Sequence, residues 1–161
     1  MIRSLNKKID IDKLLMRLNT KKRNIAVKKV FFDRNPDKPN ENFERFIGLL
    51  KYKGFTACPV NLKKYGQNAE YGYKSRTDWE MAFSILNDVT ENLVDVVVLI
   101  TGDSDFKKVI EVCKKIKPRL VVEVYATKNT LSYELKNPTL INEYFLFEDL
   151  PELLLLEKIA A

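Results

Sequence analysis

The amino-acid sequence predicts an α/β fold with a mostly parallel central sheet covered on both faces by helices. Three observations carry this expectation. Strand-like and helix-like segments alternate along the chain, which is the pattern of parallel strands joined by crossover helices. Residues 96–100 (VVVLI) are apolar at every position, as befits a strand buried on both faces. The 161 residues, 45% of them apolar, are enough for one domain with a sizeable core. No internal repeat, linker or low-complexity segment interrupts them. Residues 1–161 therefore read as a single domain, with a leucine-rich tail over 150–161.

The elements follow in order. Residues 10–18 (DIDKLLMRL) predict a short helix, and 25–32 (IAVKKVFF) a strand. NENFERFIGLLKYKG, 40–54, predicts a helix with Asn40 at its start and Gly54 as its stop. Residues 55–60 (FTACPV) predict a short strand, and 61–76 a long polar loop or hairpin. A helix over 78–90 packs through Met81, Ala82, Ile85, Leu86 and Val89. Strand 95–101 comes next. The helix over 105–117 has Ser104 as N-cap, a stripe of Phe106, Val109, Ile110, Cys113 and Ile116, and Pro118 as its end. Strand 120–125, a short helix or turn over 129–137 and a last strand over 140–147 complete the series.

Composition narrows the chemistry. There is no histidine, which removes imidazole acid–base catalysis, Ser-His-Asp triads and His-liganded zinc. Carboxylates and lysines must carry any reaction. Cys58 and Cys113 lie in apolar contexts and match no metal spacing, so they read as reduced core thiols of a cytoplasmic protein. No stretch is long and apolar enough to span a membrane, and the first residues, MIRSLNKK, carry no signal-peptide pattern. The net charge of +6 suits an anionic partner such as nucleic acid, and equally suits a well-solvated lysine-rich surface.

One constellation stands out. Asp103 and Asp105 follow the apolar strand directly, in VVVLITGDSDF. Ligands of open parallel sheets bind outside the carboxyl ends of the strands, and these two acids lie at such an end. Asp105 in a first helical turn would also gain about 0.3–1 kcal/mol from the helix dipole, which accounts for it alone but not for the pair. Asp78 sits four residues before Ala82 and seven before Ile85, so it shares the inward stripe of its helix. Thr77 and Glu80 have capping-box spacing around it. Three carboxylates without histidine or thiolate suit a hard cation, Mg²⁺ or Mn²⁺. Just upstream, residues 62–77 carry four basic side chains (Lys63, Lys64, Lys74, Arg76) and one acid, with Tyr65, Tyr71 and Tyr73 between them. Such a loop can hold phosphates and stack bases, or can simply pack locally.

These residues resemble the NYN-domain (LabA-like) family of PIN-like ribonucleases in three blocks. VVVLITGDSDFKKVIEVCKK is similar to the family's strand, Gly-Asp-Ser-Asp-Phe and helix; KSRTDWEMAFSI resembles its Lys-Gly-Val-Asp segment, with one residue more; NTLSYELKNPTLINEYFLFEDL resembles its closing Ser-x-x-Leu and final strand. The resemblance implies a Rossmann-like (PIN-like) three-layer sandwich and a metal-dependent ribonuclease. Asp78, Asp103 and Asp105 would hold Mg²⁺ or Mn²⁺ as the catalytic set. Thr101 and Ser104 would position phosphate oxygens, and Lys74, Arg76, Lys63 and Lys64 would hold the RNA backbone. The partner expected is RNA, with no membrane and with room for a homodimer. Ser84 and Asn142 stand where family members often carry further acids, so the set is reduced.

The resemblance also implies an opening strand that ends in Asp and is followed by Asn and a helix. MIRSLNKK resembles the beginning of that helix, so the expected start lies upstream of Met1. Residues 25–32 or the tail Leu150–Leu156 are the other candidates for the central slot. That slot cannot stay open, because buried unpaired backbone groups cost about 1–3 kcal/mol each. Two further functions remain open from the residues. One is a non-catalytic RNA-binding or protein-interaction module. The other is a haloacid-dehalogenase-like phosphatase, whose nucleophilic Asp-x-Asp would have to be Asp10 and Asp12; Lys7 and Lys8 argue against a buried strand leading into them.

Overall fold

The structure, a computed structural model, describes residues 8–19, 23–35, 40–64 and 73–155. The chain divides into two compact units, one of residues 26–84 and one of residues 1–25 with 85–161. The class is α/β with parallel strand pairing, and the described residues include four α-helices.

The unit of residues 26–84 is built on a β-α-β motif. Strand β1 (Lys29–Arg34) pairs in parallel with β2 (Thr56–Asn61), and α2 (Glu41–Tyr52) connects them. The ladder begins four residues later than the apolar run over 25–32 suggests. Its partner sets the limit, since β2 starts only after the turn at Gly54, where Thr56 N–H donates to Lys28 O (2.7 Å). Helix α2 starts as its sequence requires. The Asn40 side chain accepts from Phe43 N–H (3.1 Å) and satisfies one of the free donors of the first turn. Gly54, at φ +80°, lets the chain leave the helix, and Lys28 Nζ donates to the carbonyl of Lys53 (2.6 Å). Ile47 and Leu50 are the buried stripe, and Phe43 meets Phe32 of β1 edge to face at 5.1 Å. Next comes an antiparallel hairpin of β3 (Lys63–Lys64) and β4 (Tyr73–Lys74), the second of the two forms expected for 61–76.

Helix α3 (Thr77–Thr90) contributes residues to both units. Only Val89 of its expected stripe is buried, while Met81, Ala82, Ile85 and Leu86 are half-buried.

The second unit has a three-stranded parallel ladder in the order β5 (Val96–Leu99), β6 (Val121–Ala126), β7 (Glu143–Leu146). Helix α4 (Phe106–Ile116) is the crossover between β5 and β6 and buries Phe106, Ile110 and Cys113. Ile116, placed by spacing on the same stripe, is 49% exposed in the last turn before Pro118. The segment over 129–137 forms a 3₁₀ turn, Tyr133–Lys136, capped by Ser132. The last strand is shorter than expected: a 3₁₀ turn takes over at Phe147, and at the other end Asn142 bonds to β6 through its backbone, its N–H donating to Val122 O (2.9 Å), and through its side chain. Its side chain accepts from Val122 N–H (2.9 Å) and from Lys114 Nζ (3.0 Å). Helix α1 (Ile11–Asn19) contributes Leu14 to a core with Tyr125, Phe147, Leu153 and Leu154. Part of the leucine tail is therefore core. Leu154 forms an antiparallel bridge with Ile9, and Leu153 O accepts from Asp10 N–H (2.8 Å). The tail residues 156–161 and the opening 1–7 lie outside the described residues, as does the expectation that 1–7 begin a helix. No described helix is long and apolar enough to cross a membrane.

Candidate functional site

Strand β5 alternates half-buried and buried positions and ends at Leu99, so its chain emerges at the carboxyl edge of a parallel ladder. Gly102 is required there. A Cβ on it would lie 2.2 Å from Thr130 O and 2.5 Å from Thr130 C, because the backbone at Thr130 and Leu131 crosses directly over it. Ser132 N–H completes the crossing by donating to Gly102 O (2.9 Å). The segment after β6 is held in turn by the Thr127 and Thr130 hydroxyls, 2.8 Å apart.

Asp103 follows, in a turn made by its own side chain and that of Thr101. Thr101 Oγ1 accepts from Asp103 N–H (3.3 Å), and Asp103 Oδ1 accepts from Asp105 N–H (3.0 Å). The N-cap of α4 is Asp105, one residue later than the Ser104 expected from sequence, and it makes no side-chain cap bond. The Asp103 carboxylate takes that local role instead, an Asx-type turn that satisfies a free donor ahead of the helix. Ser104 is half-buried, and its carbonyl accepts from Lys107 N–H (2.9 Å). Asp103 and Asp105 are both exposed. Solvent and the positive end of α4 therefore compensate two neighbouring anions. Nearby, Lys107 Nζ lies 2.8 Å from Glu134 Oε1, and that carboxylate holds the ammonium above its ordinary value.

Asp78 is on the other unit, in the first turn of α3, and it is exposed. This corrects its placement on a core-facing stripe. Helix α3 is only shallowly buried in this stretch, so no desolvation cost falls on the carboxylate. The expected capping pair of Thr77 and Glu80 is also replaced. Thr77 N–H donates to Ser75 Oγ (3.1 Å), Ser75 O–H donates to Asp33 Oδ1 (2.7 Å), and the Thr77 hydroxyl donates to the same oxygen. Asp33, at the carboxyl end of β1, thus ties β1 to the entry of α3. Sequence reasoning passed over it. Its signal was available, since KVFFD ends an apolar strand in an acid as VVVLITGD does. Ser84 accepts from Lys29 Nζ (2.8 Å), so a cation addresses the position where an acid was looked for.

The same entry shapes a surface pocket of about 390 Å³ lined by Lys74, Ser75, Arg76, Trp79, Glu80 and Phe83. Lys74 and Arg76 are exposed. The side chains of Lys63 and Lys64, and Tyr65 and Tyr71, lie outside the described residues. Cys113 is buried, and burial pushes its thiol above the ordinary value.

The donor chemistry suits a hard cation. Carboxylate oxygens alone are offered, and Mg²⁺ is commonly held by one or two carboxylates while keeping several waters. Asp103 and Asp105 supply two exposed carboxylates. Among the described residues, no group of three or more His, Cys, Asp or Glu side chains is placed to hold a metal ion.

A family model described as the NYN domain matches residues 2–143. A solved structure of a Vibrio parahaemolyticus protein, described as of unknown function, is similar to this chain with a TM-score of 0.71 and 18% identity, over 96% of this chain and 86% of that one. At that identity the likeness shows the fold. No curated protein matches the chain.

Proposed function

The chain belongs to the NYN-domain family, whose fold is that of PIN-like nucleases, and from that premise we propose that it is a metal-dependent ribonuclease. The observation that carries this reading is the exposed pair Asp103 and Asp105, fixed at the carboxyl end of a parallel strand by the Asx-type turn. A bound Mg²⁺ or Mn²⁺ would supply polarisation of the phosphodiester and activation of water. Asp103 and Asp105 would hold that ion. The family resemblance gives Asp78 the same role. Thr101 and Ser104 would orient phosphate oxygens at the turn, and Lys74, Arg76, Lys63 and Lys64 would hold the RNA backbone.

The experiment is cleavage of a labelled RNA with Mn²⁺ or Mg²⁺, stopped by EDTA and restored by excess metal. Metal-dependent cleavage that EDTA abolishes supports the reading. Absence of cleavage by the wild type in either metal removes it. A second reading then takes its place, a non-catalytic RNA-binding module. It is favoured by the absence, among the described residues, of three carboxylates grouped to hold a metal ion, and by Lys29 at Ser84.

A further inference from the structure

The pocket at the entry of α3 joins two features that rarely share an exposed surface. Trp79 is 69% exposed and Phe83 61% exposed, although both are large apolar rings. They sit four residues apart on one face of the helix, with ring centroids 6.1 Å apart and planes inclined by 33°. Lys74 and Arg76 line the same pocket from the β4 side, and Glu80 is the one acid among its six lining residues. Ser75 and Thr77 are tied to Asp33, so the two basic residues leave a segment fixed at both ends of Arg76.

We infer that Trp79 and Phe83 are a stacking platform for unpaired bases of single-stranded RNA, with Lys74 and Arg76 holding the adjoining phosphates. This rests on the ribonuclease or RNA-binding reading above and gives it a substrate class. The chemistry is that of sequence-tolerant single-strand binding, in which flat rings take the bases and cations follow the backbone. A volume of about 390 Å³ is in the range of small-ligand sites, large enough for a base on the rings. A duplex cannot use the platform, because its bases are already stacked on one another. Two basic residues against one acid favour an anionic occupant over an apolar helix of a protein.

Trp79 is the chain's sole tryptophan, so its emission reports the pocket directly. The test titrates the full chain, in EDTA to prevent cleavage, with a 12-nucleotide single-stranded RNA and with the same sequence as a duplex. Single-stranded RNA is expected to quench Trp79 emission, and duplex to leave it nearly unchanged. Phe83→Ala and Trp79→Ala should weaken binding of the labelled single strand, followed by anisotropy, by roughly 5- to 150-fold each. Both positions are exposed, and Ala is a good helix former, so circular dichroism should match wild type. RNA that binds or is cleaved with no change in Trp79 emission, and equally well by both variants, overturns the platform and leaves the ribonuclease reading standing. Quenching without metal-dependent cleavage keeps the platform and removes the nuclease. No RNA binding at all removes both. A dimer in the wild type that Trp79→Ala dissociates, with RNA affinity unchanged, assigns the rings to a second copy and also overturns the platform.

Discussion

Asp103 can face solvent in a fixed turn only because Gly102 lets another backbone pass over it. Gly102→Ala would drive a methyl group to 2.2 Å from Thr130 O, and backbone cannot yield as a flexible side chain can. Overpacking of this kind costs about 1–3 kcal/mol. Thermal unfolding should show a lowered Tm for Gly102→Ala, and a Tm equal to wild type would contradict the close crossing. Cys113 behaves differently, because its function is packing. Burial raises its thiol above the ordinary value of 9.0, so the folded chain keeps the proton where the unfolded chain loses it. The stabilisation is complete below 9 and falls away as pH rises towards the folded value, by at most about 1.4 kcal/mol per pH unit. Urea denaturation between pH 8 and 10 should show that extra slope in wild type and lose it in Cys113→Ala. Alkylation of Cys113 should also be slow compared with the half-buried Cys58.

At the scale of elements, β6 carries a feature that its alternation hides. Glu123 is 1% exposed in the middle of VVEVYA and lies 2.7 Å from Arg23. That carboxylate holds the guanidinium above its ordinary value. Arg23→Ala would take a 2.7 Å ion pair from a buried carboxylate and should lower stability, by up to about 3–5 kcal/mol. The loss should appear as a lower urea midpoint with an unchanged slope. The pairing itself was not legible, because 100 residues separate the two partners. What was legible had a local cause. Asn40 and Gly54 bound α2 through cap chemistry that lies within a few residues, and Pro118 ends the region of α4 for the same reason. Strand edges were less legible, since β1 begins where β2 permits. The placement of Ser104 as cap failed because Asp103, one residue upstream, accepts from Asp105 N–H and the helix starts only after Asp105. Asp103 and Asp105 were found because a fully apolar strand led to them. Asp33 was missed because no second acid stands beside it as Asp105 does beside Asp103, and because its partners Ser75 and Thr77 lie more than 40 residues on.

At the scale of the whole molecule, the excess of 28 Lys and Arg over 22 Asp and Glu gives the chain a long-range attraction for polyanions. If Lys63, Lys64, Lys74 and Arg76 hold phosphates, each contact releases counterions. Log affinity for single-stranded RNA should then fall with log salt at a slope of roughly −0.7 per phosphate contacted. Replacing all four by alanine should flatten that slope and weaken binding. A variant that keeps both affinity and slope would show that the hairpin takes no part.

The central claim is that carboxylates at the end of β5 support phosphodiester cleavage. Single-turnover cleavage of RNA in Mn²⁺ by wild type and Asp103→Asn tests it most directly, with RNA affinity measured for both so that binding and chemistry are separated. Asn keeps the size of the side chain and an oxygen able to accept from Asp105 N–H, but it lacks the charge. The account predicts matched RNA affinity and a rate lowered on the order of 100-fold or more in Asp103→Asn. Equal rates for the two proteins would contradict it.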